Sequence, residues 1–198
     1  MKNIIKIYEA LINRKSKICH RKEIIDIIKE YNKKFGKVNI KNTLKYLSRH
    51  KYTIRVFKKF YYINSLDEKE RKFCLFEDRE LLFSVLNKLD IKWYVGLNSA
   101  LYISGEIWQI PNILTIVNNK ISGKKSILGI TVRFFKIKES LIFGLKTKKT
   151  KNKIKFYYSN PSKTYLDLVY FKQSKKIILK EKTKNYLKRY PKWLKKLI

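Results

Sequence analysis

Negative charge is what this 198-residue chain has least of. Its 15 Asp plus Glu stand against 48 Lys plus Arg, a formal net charge of +33. That imbalance exceeds what solubility requires and calls for a polyanionic partner, most often nucleic acid. Cysteine is nearly absent: Cys19 and Cys74 lie far apart with no metal spacing. This excludes a disulfide framework and points to reduced, partly buried thiols in a cytosolic protein. Two histidines, His20 and His50, are too few for a zinc site, and Cys19-His20 reads as a helix entry. No apolar run approaches the roughly 18 residues of a membrane span, and the amino terminus lacks the apolar core of a signal peptide. A cytoplasmic protein that does not enter a membrane is expected.

Carboxylates thin out further along the chain. From Ile91 onward the only ones are Glu106, Glu139, Asp167 and Glu181, and no two stand close together. Two-metal nucleases and nucleotidyltransferases need clustered acids to hold Mg²⁺. The fragment Gly96-Leu97-Asn98-Ser99 resembles the opening of a nucleotidyltransferase motif, but the acids that should follow are missing. No phosphate-cradling glycine loop or nucleophile elbow occurs. The expectation is a protein that is not an enzyme, with no catalytic residue, no metal and no cofactor. Asp167, in the helical run Thr164-Tyr165-Leu166-Asp167-Leu168, reads as a structural acid paired with a lysine.

What is present is concentrated in Asn39 to Ile63, NIKNTLKYLSRHKYTIRVFKKFYYI. Asn39 is a good N-cap. Ile40, Leu44 and Leu47 recur at helical spacing and define a buried stripe. The opposite face carries Lys41, Asn42, Lys45, Ser48 and Arg49, donors suited to phosphates and base edges. After Lys51 the period changes to alternation: Thr53–Phe57 and Phe60–Ile63 read as two strands around a Lys58-Lys59 turn. A cationic helix beside a cationic hairpin looks like the recognition helix and wing of a winged helix. The candidate nucleic-acid-binding residues are therefore Lys41, Asn42, Lys45, Ser48, Arg49, Arg55, Lys58 and Lys59.

The fold class expected is α+β, beginning with a winged helix-turn-helix domain over residues 1–65, which carry 18 basic and 4 acidic residues. Helices over Asn3 to Asn13 and Arg21 to Lys33 precede a turn at Lys34–Val38, where Gly36 can take positive φ. Residues 66–90 hold much of the acidic charge and read as a helical connector. Residues 91–172 read as an α+β domain with a small mixed or antiparallel sheet. Its strands are Trp93–Val95, Ile113–Asn118, Ile130–Ile137 and Ile154–Tyr158; its helices are Asn98–Ile107 and Ser162–Phe171. Residues 173–198 form a basic amphipathic tail, helical to Tyr190 and broken at Pro191.

The second half also carries three runs: WYVGLNSALYISGEIWQIPNILTIVNNK, ITVRFFKI and IKFYYSNPSKTYLDLVYF. Their order resembles the antitoxin component of type IV toxin–antitoxin systems, the AbiEi (abortive infection) family. The matching residues are Tyr94, Ser99, Ala100, Leu101 and Gly105; then Gln109, Ile110 and Pro111; then Asn160, Pro161, Thr164, Asp167 and Leu168. Where that family often has a histidine before the glycine, this chain has Ser104. The resemblance implies an antitoxin-like domain behind a winged helix, and a transcriptional regulator that binds double-stranded DNA at its own promoter. It also implies a functional link to a nucleotidyltransferase-like toxin without stable binding. With 25 basic and 4 acidic residues over 91–198, the second half also fits contact with RNA or tRNA. Two other classes stay open: a stand-alone winged-helix repressor or architectural protein, and a nuclease or RNA-modifying enzyme, against which the missing carboxylates argue. The oligomeric state is not legible.

Overall fold

Helix α1 (Lys2–Ile12) turns Ile7, Tyr8 and Leu11 inward, the spacing of one helical stripe. The computed structural model describes residues 2–31, 37–174 and 181–196. The expected turn around Gly36, the last two residues of the expected second helix and residues 175–180 of the tail lie outside them. Strand β1 (Ile18–His20) leads directly into α2 (Arg21–Tyr31), which buries Ile24, Ile27 and Ile28. Glu23 caps the entry by accepting from the His20 backbone N–H at 2.6 Å. Helix α3 (Lys37–Arg49) follows, burying Ile40, Thr43 and Leu47.

The expected N-cap at Asn39 is corrected here. The helix starts two residues earlier, at Lys37. Asn39 is an interior residue whose carbonyl accepts from Thr43 Oγ1 at 2.9 Å. An Asn is a local signal, and helical backbone in the two residues before it is enough to move the terminus.

Strands β2 (Thr53–Phe57) and β3 (Phe60–Ile63) form the expected hairpin, with a register irregularity between Arg55 and Phe57 and Lys58 at φ +52° in the turn. Strand β1 adds to the other side of β3, pairing Ile18 with Tyr62, so the antiparallel sheet runs β1-β3-β2. Three residues are too few to show alternation, and only the pairing with β3 makes Ile18–His20 a strand. The three helices and this sheet enclose one core of Ile7, Leu11, Cys19, Ile24, Ile28, Ile40, Leu47 and Ile63.

The first of two compact units, Met1–Val85, extends past residue 65. The reason is Glu68 on α4 (Leu66–Glu70), where Ser65 and Glu68 make a reciprocal capping box. Glu68 is nevertheless buried. Its carboxylate accepts from the Ser65 N–H and hydroxyl, each at 2.8 Å, from the Leu75 N–H at 2.9 Å, from the Tyr62 hydroxyl, and from Lys17 Nζ at 3.1 Å. Burial alone would raise the carboxyl; the hydrogen bonds from Ser65, Tyr62 and Leu75 outweigh it and hold its pKa at about 2. Helix α4 is thus tied to β3 and to the segment before β1.

The second unit, Leu86–Ile198, is built on a six-stranded mixed sheet. Its strands are β4 (Trp93–Val95), β5 (Ile113–Asn118), β6 (Gly123–Ile127), β7 (Ile130–Lys136), β8 (Leu145–Lys149) and β9 (Lys155–Ser159), in the order β6-β7-β5-β4-β9-β8. The pairs β4–β9 and β5–β7 are parallel and the rest antiparallel. The two edge strands, GKKSI and LKTKK, are almost wholly exposed. Lysine on both faces hides them from any reading based on alternation, and the same lysines discourage pairing with another chain. Helix α5 (Asp78–Lys88) lies across the unit boundary in sequence.

Helix α6 (Leu97–Ile103) joins β4 to β5, and Ser99 joins helix to sheet. Strand β4 stops pairing at Val95–Ile116, and there Ser99 Oγ takes over: it accepts from the Thr115 N–H at 3.0 Å and donates to the Ile113 carbonyl at 3.2 Å. Gly96 is required in between, because a Cβ there would stand 2.6 Å from Val117 Cγ2. The helix ends in a Schellman motif, with Gly105 at φ +76° and the N–H groups of Gly105 and Glu106 returning to Tyr102 and Leu101. Helix α7 (Pro161–Tyr170) starts with Asn160 as N-cap and Pro161 in its first turn. The tail contains two short helices, α8 (Glu181–Leu187) and α9 (Lys192–Lys195), on either side of Pro191, rather than one helix to Tyr190. Thr183, Tyr190 and Leu194 are buried, while Lys184, Lys188, Lys192 and Lys195 face water. Among the described residues no helix is long and apolar enough to cross a membrane.

The Glu68 cluster sets an acid sensitivity. The carboxyl titrates near pH 2 when folded and at about 4.5 otherwise. Its contribution, about 3 kcal/mol, is present in full above pH ~4.5 and is lost as pH falls toward 2. Urea unfolding between about pH 6 and about pH 3 should show stability falling with pH, and Glu68→Gln should flatten that fall. An equally steep decline in the variant would assign the acid sensitivity to other carboxylates.

Candidate nucleic-acid interface

Helix α3 is fixed by Ile40, Thr43 and Leu47 on its buried side, so its other face is presented to solvent. Lys41, Asn42, Lys45, Ser48 and Arg49 are all exposed. They line one open groove of about 870 Å³, together with Arg21, Tyr46, His50 and Tyr61. No carboxylate lines it. Arg21 begins α2 and Tyr61 sits on β3; the β1–β3 pairing and the bond from the Arg21 N–H to the Lys59 carbonyl, 2.7 Å, bring both beside α3. Sequence reasoning misses these two because nothing local to Arg21 or Tyr61 points to α3. Tyr46 and His50, one helical turn apart with ring centroids at 4.1 Å, form an aromatic wall; their i, i+4 spacing was legible. Ser48 is partly engaged, sharing a hydrogen bond with Thr53 at 3.2 Å.

The other three candidates stand apart from the groove, on the β2–β3 hairpin. Arg55, Lys58 and Lys59 are exposed, and Arg55 Nε donates to the Lys58 carbonyl at 3.0 Å, which braces the turn. Lysine at the left-handed position is uncommon for a residue with a Cβ. The brace from Arg55 holds the turn in this conformation and leaves two lysines at its tip. The candidates thus form two cationic sets, five residues in the groove and three on the hairpin.

The residues singled out in the second unit meet differently. Asp167 pairs with Lys163 one turn earlier on α7, and both side chains are fully buried. Tyr94 donates to Asp167 Oδ2 at 2.8 Å, and Tyr190 donates to Oδ1 at 2.6 Å. Lys163 Nζ donates to Asp167, to the Tyr190 hydroxyl at 2.7 Å and to the Tyr94 hydroxyl at 3.1 Å, which uses its three N–H groups. Its ammonium also lies 5.0–5.3 Å from the ring centroids of Phe143, Tyr190 and Tyr94. Burial pushes the Lys163 pKa down against the pull of Asp167. Burial first, and then Asp167, push both tyrosines up. These groups are bonded to one another and sealed from solvent. They bind the tail to α7 and β4 and offer nothing to a substrate. The i, i+4 pair was readable on a helix; Tyr190, supplied from the tail, was not.

Replacing Asp167 with Asn leaves a buried ammonium without its counter-charge and should cost about 3–5 kcal/mol. Tyr190→Phe, which removes one donor and leaves the pair, should cost about 1–2 kcal/mol. Denaturant unfolding measures both, and equal losses would mean that the charge pair is not the centre of the cluster.

No protein-family model and no curated protein matches this chain.

Proposed function

We propose that the first unit is a winged helix that binds duplex DNA, with α3 in the major groove and the β2–β3 hairpin as the wing on the flanking backbone. The observation that carries this reading is the groove on α3, where Lys41, Asn42, Lys45, Ser48 and Arg49 converge with no acid among the lining residues. A helix of 13 residues is about 20 Å long, and the B-DNA major groove, about 12 Å wide, admits it. Lysine and arginine set the register on phosphates; Asn42 and Arg49 have the paired donors and acceptors, or the fork, that read a base edge. Arg21, at the start of α2, is a further phosphate contact in this arrangement.

In this reading the protein is a cytoplasmic transcriptional regulator that acts by binding and not by catalysis. The reading of it as the antitoxin of a type IV system, acting on its own promoter and against a nucleotidyltransferase-like toxin, rests on the resemblance, which spans roughly residues 1–172 with its motifs in the second half. Co-expression with a nucleotidyltransferase-like toxin of such a system is the test of that part. Growth unaffected by the antitoxin would leave a stand-alone repressor.

If Lys41, Lys45, Arg49, Arg55, Lys58 and Lys59 each neutralise one phosphate, the slope of log K against log salt for duplex DNA is about −5. A slope near zero would remove these residues as a phosphate-binding set. On a site selected from a random duplex library, Asn42→Ala or Arg49→Ala should cost about 1–3 kcal/mol and relax the selected sequence. Lys58→Ala or Lys59→Ala should weaken all duplexes alike. Helix variants that keep full discrimination would place α3 outside the major groove.

A further inference from the structure

The second unit holds a concavity of about 390 Å³, at the small end of the roughly 300–1,000 Å³ of ligand pockets. The β7 residues Arg133 and Phe135 line it, with the guanidinium 4.8 Å from the ring centroid. Asn98, Gln109, Asn112 and Gln173 line it as well. Five lining side chains therefore end in an amide or a guanidinium, and no carboxylate lines the cavity. The amides of Asn98, Gln109 and Asn112 are exposed to solvent at this concavity.

Two oddities gather at the same place. Leu97, a lining residue, is buried at φ +52°, a conformation costly for a branched side chain. Trp108, between the lining residues Ile107 and Gln109, is 91% exposed, an indole left in water on the rim. Nearby, Lys124 on edge strand β6 is the cross-strand partner of Arg133 and so shares its sheet face. The carboxylate beside this rim, Glu106, accepts from the Tyr165 hydroxyl at 3.3 Å. The unit as a whole carries 26 basic and 5 acidic residues over 86–198.

We propose that this cavity takes one unpaired nucleotide of a single-stranded nucleic acid: Asn98, Gln109 and Asn112 read the base, Arg133 and Lys124 meet its phosphate, and Trp108 stacks the neighbouring base. Amides match the alternating donors and acceptors of a base edge, which are free to be read only where the base is unpaired. Exposed aromatic and guanidinium planes are the stacking surfaces of single-strand binders, and the field around the cavity favours a polyanion. An apolar peptide would find the amide and guanidinium ends unpaired and costly to bury. The site is independent of α3, so duplex and single-strand binding are separate properties of one chain.

The test uses the full-length protein and labelled 12-nucleotide RNA and DNA strands, with a 20-base-pair duplex in parallel, read by fluorescence anisotropy at about 0.1 M salt. Trp108→Ala and the double variant Gln109→Ala/Arg133→Gln should each lower single-strand affinity about tenfold or more. Duplex affinity should stay within about twofold. Trp108→Phe should restore most of the loss, because a phenyl ring still stacks. RNA bound more tightly than DNA would mean that the 2′-hydroxyl is read as well; equal binding would assign the affinity to the chemistry the two share. Competition by free adenosine monophosphate at millimolar concentration would show that the cavity, and not only the rim, is occupied. Single-strand affinity unchanged in folded variants overturns the proposal, and so does an equal loss on duplex and single strand, which would reduce the region to a nonspecific basic surface. Because duplex binding is read in the same samples, failure here leaves the α3 reading intact.

Discussion

Like-charge repulsion is the constraint that the rest of this structure answers. With 48 cations and 15 carboxylates on 198 residues, most lysines have no anion to meet and must be held apart on the surface. An acid in such a chain is a scarce resource, yet Glu68, Glu80 and Asp167 are buried. Two of them act as collection points. Glu68 gathers donors from Lys17, Tyr62, Ser65 and Leu75; Asp167 gathers them from Tyr94, Lys163 and Tyr190. In each case a carboxylate joins segments distant in sequence, and tyrosine hydroxyls supply hydrogen bonds without adding further positive charge. A buried acid with several donors costs less than an unsatisfied one, and removing the acid strands all of them. Glu68 in the first unit and Asp167 in the second thus define how outer segments attach.

The surplus lysines also shape the surface. Lys124 and Lys125 on β6 and Lys146, Lys148 and Lys149 on β8 occupy the two free edges of the six-stranded sheet. Charge there prevents edge-to-edge association, a pressing need in a protein with open sheet edges. On α3 and the hairpin the same residue type is spaced by the helix and by the turn and faces outward, and no carboxylate lines the α3 groove. A lysine-rich composition therefore serves protection in one place and proposed recognition in another. The difference lies in the neighbours: amides and aromatics accompany the cations on α3, and little but lysine and threonine accompanies them on β8.

The parts of this fold that were legible in the sequence are those whose burial is one-sided. The stripe Ile40, Leu44, Leu47 placed α3, and the change of period after Lys51 placed β2 and β3. Strands β1, β6 and β8 were hidden, because three residues or a lysine-rich edge carry no alternation and become strands only through a partner. The Asn39 cap failed for a related reason: it reads one residue, while the helix terminus depends on the residues before it. For the site, five of the eight candidates were on one helical face and the structure gathers them in one groove; Arg21 and Tyr61 join only through the pairing of β1 with β3. The hairpin cations were legible as a pair of strands and a turn, but their separation from the groove was not.

The residues behind the likeness to antitoxins illuminate what such a pattern can mean. Ser99 completes the ladder of β5 where β4 ends. Gly105 closes a Schellman motif, Asn160 and Pro161 start α7, Thr164 bonds back to Ser159 at 2.6 Å, and Asp167 centres the buried tetrad. Ser104, at the position where histidine is common in that family, caps α6 and donates its hydroxyl to the Leu101 carbonyl at 3.0 Å. Each of these roles builds backbone or core and leaves no polar atom pointing outward for a partner. A pattern made of such residues carries information about architecture. Specificity must then reside in exposed polar side chains, such as Asn98 beside Ser99 and, within the pattern itself, the exposed Gln109 beside Trp108. These are the residues whose replacement should change what is bound while the frame that presents them stays whole.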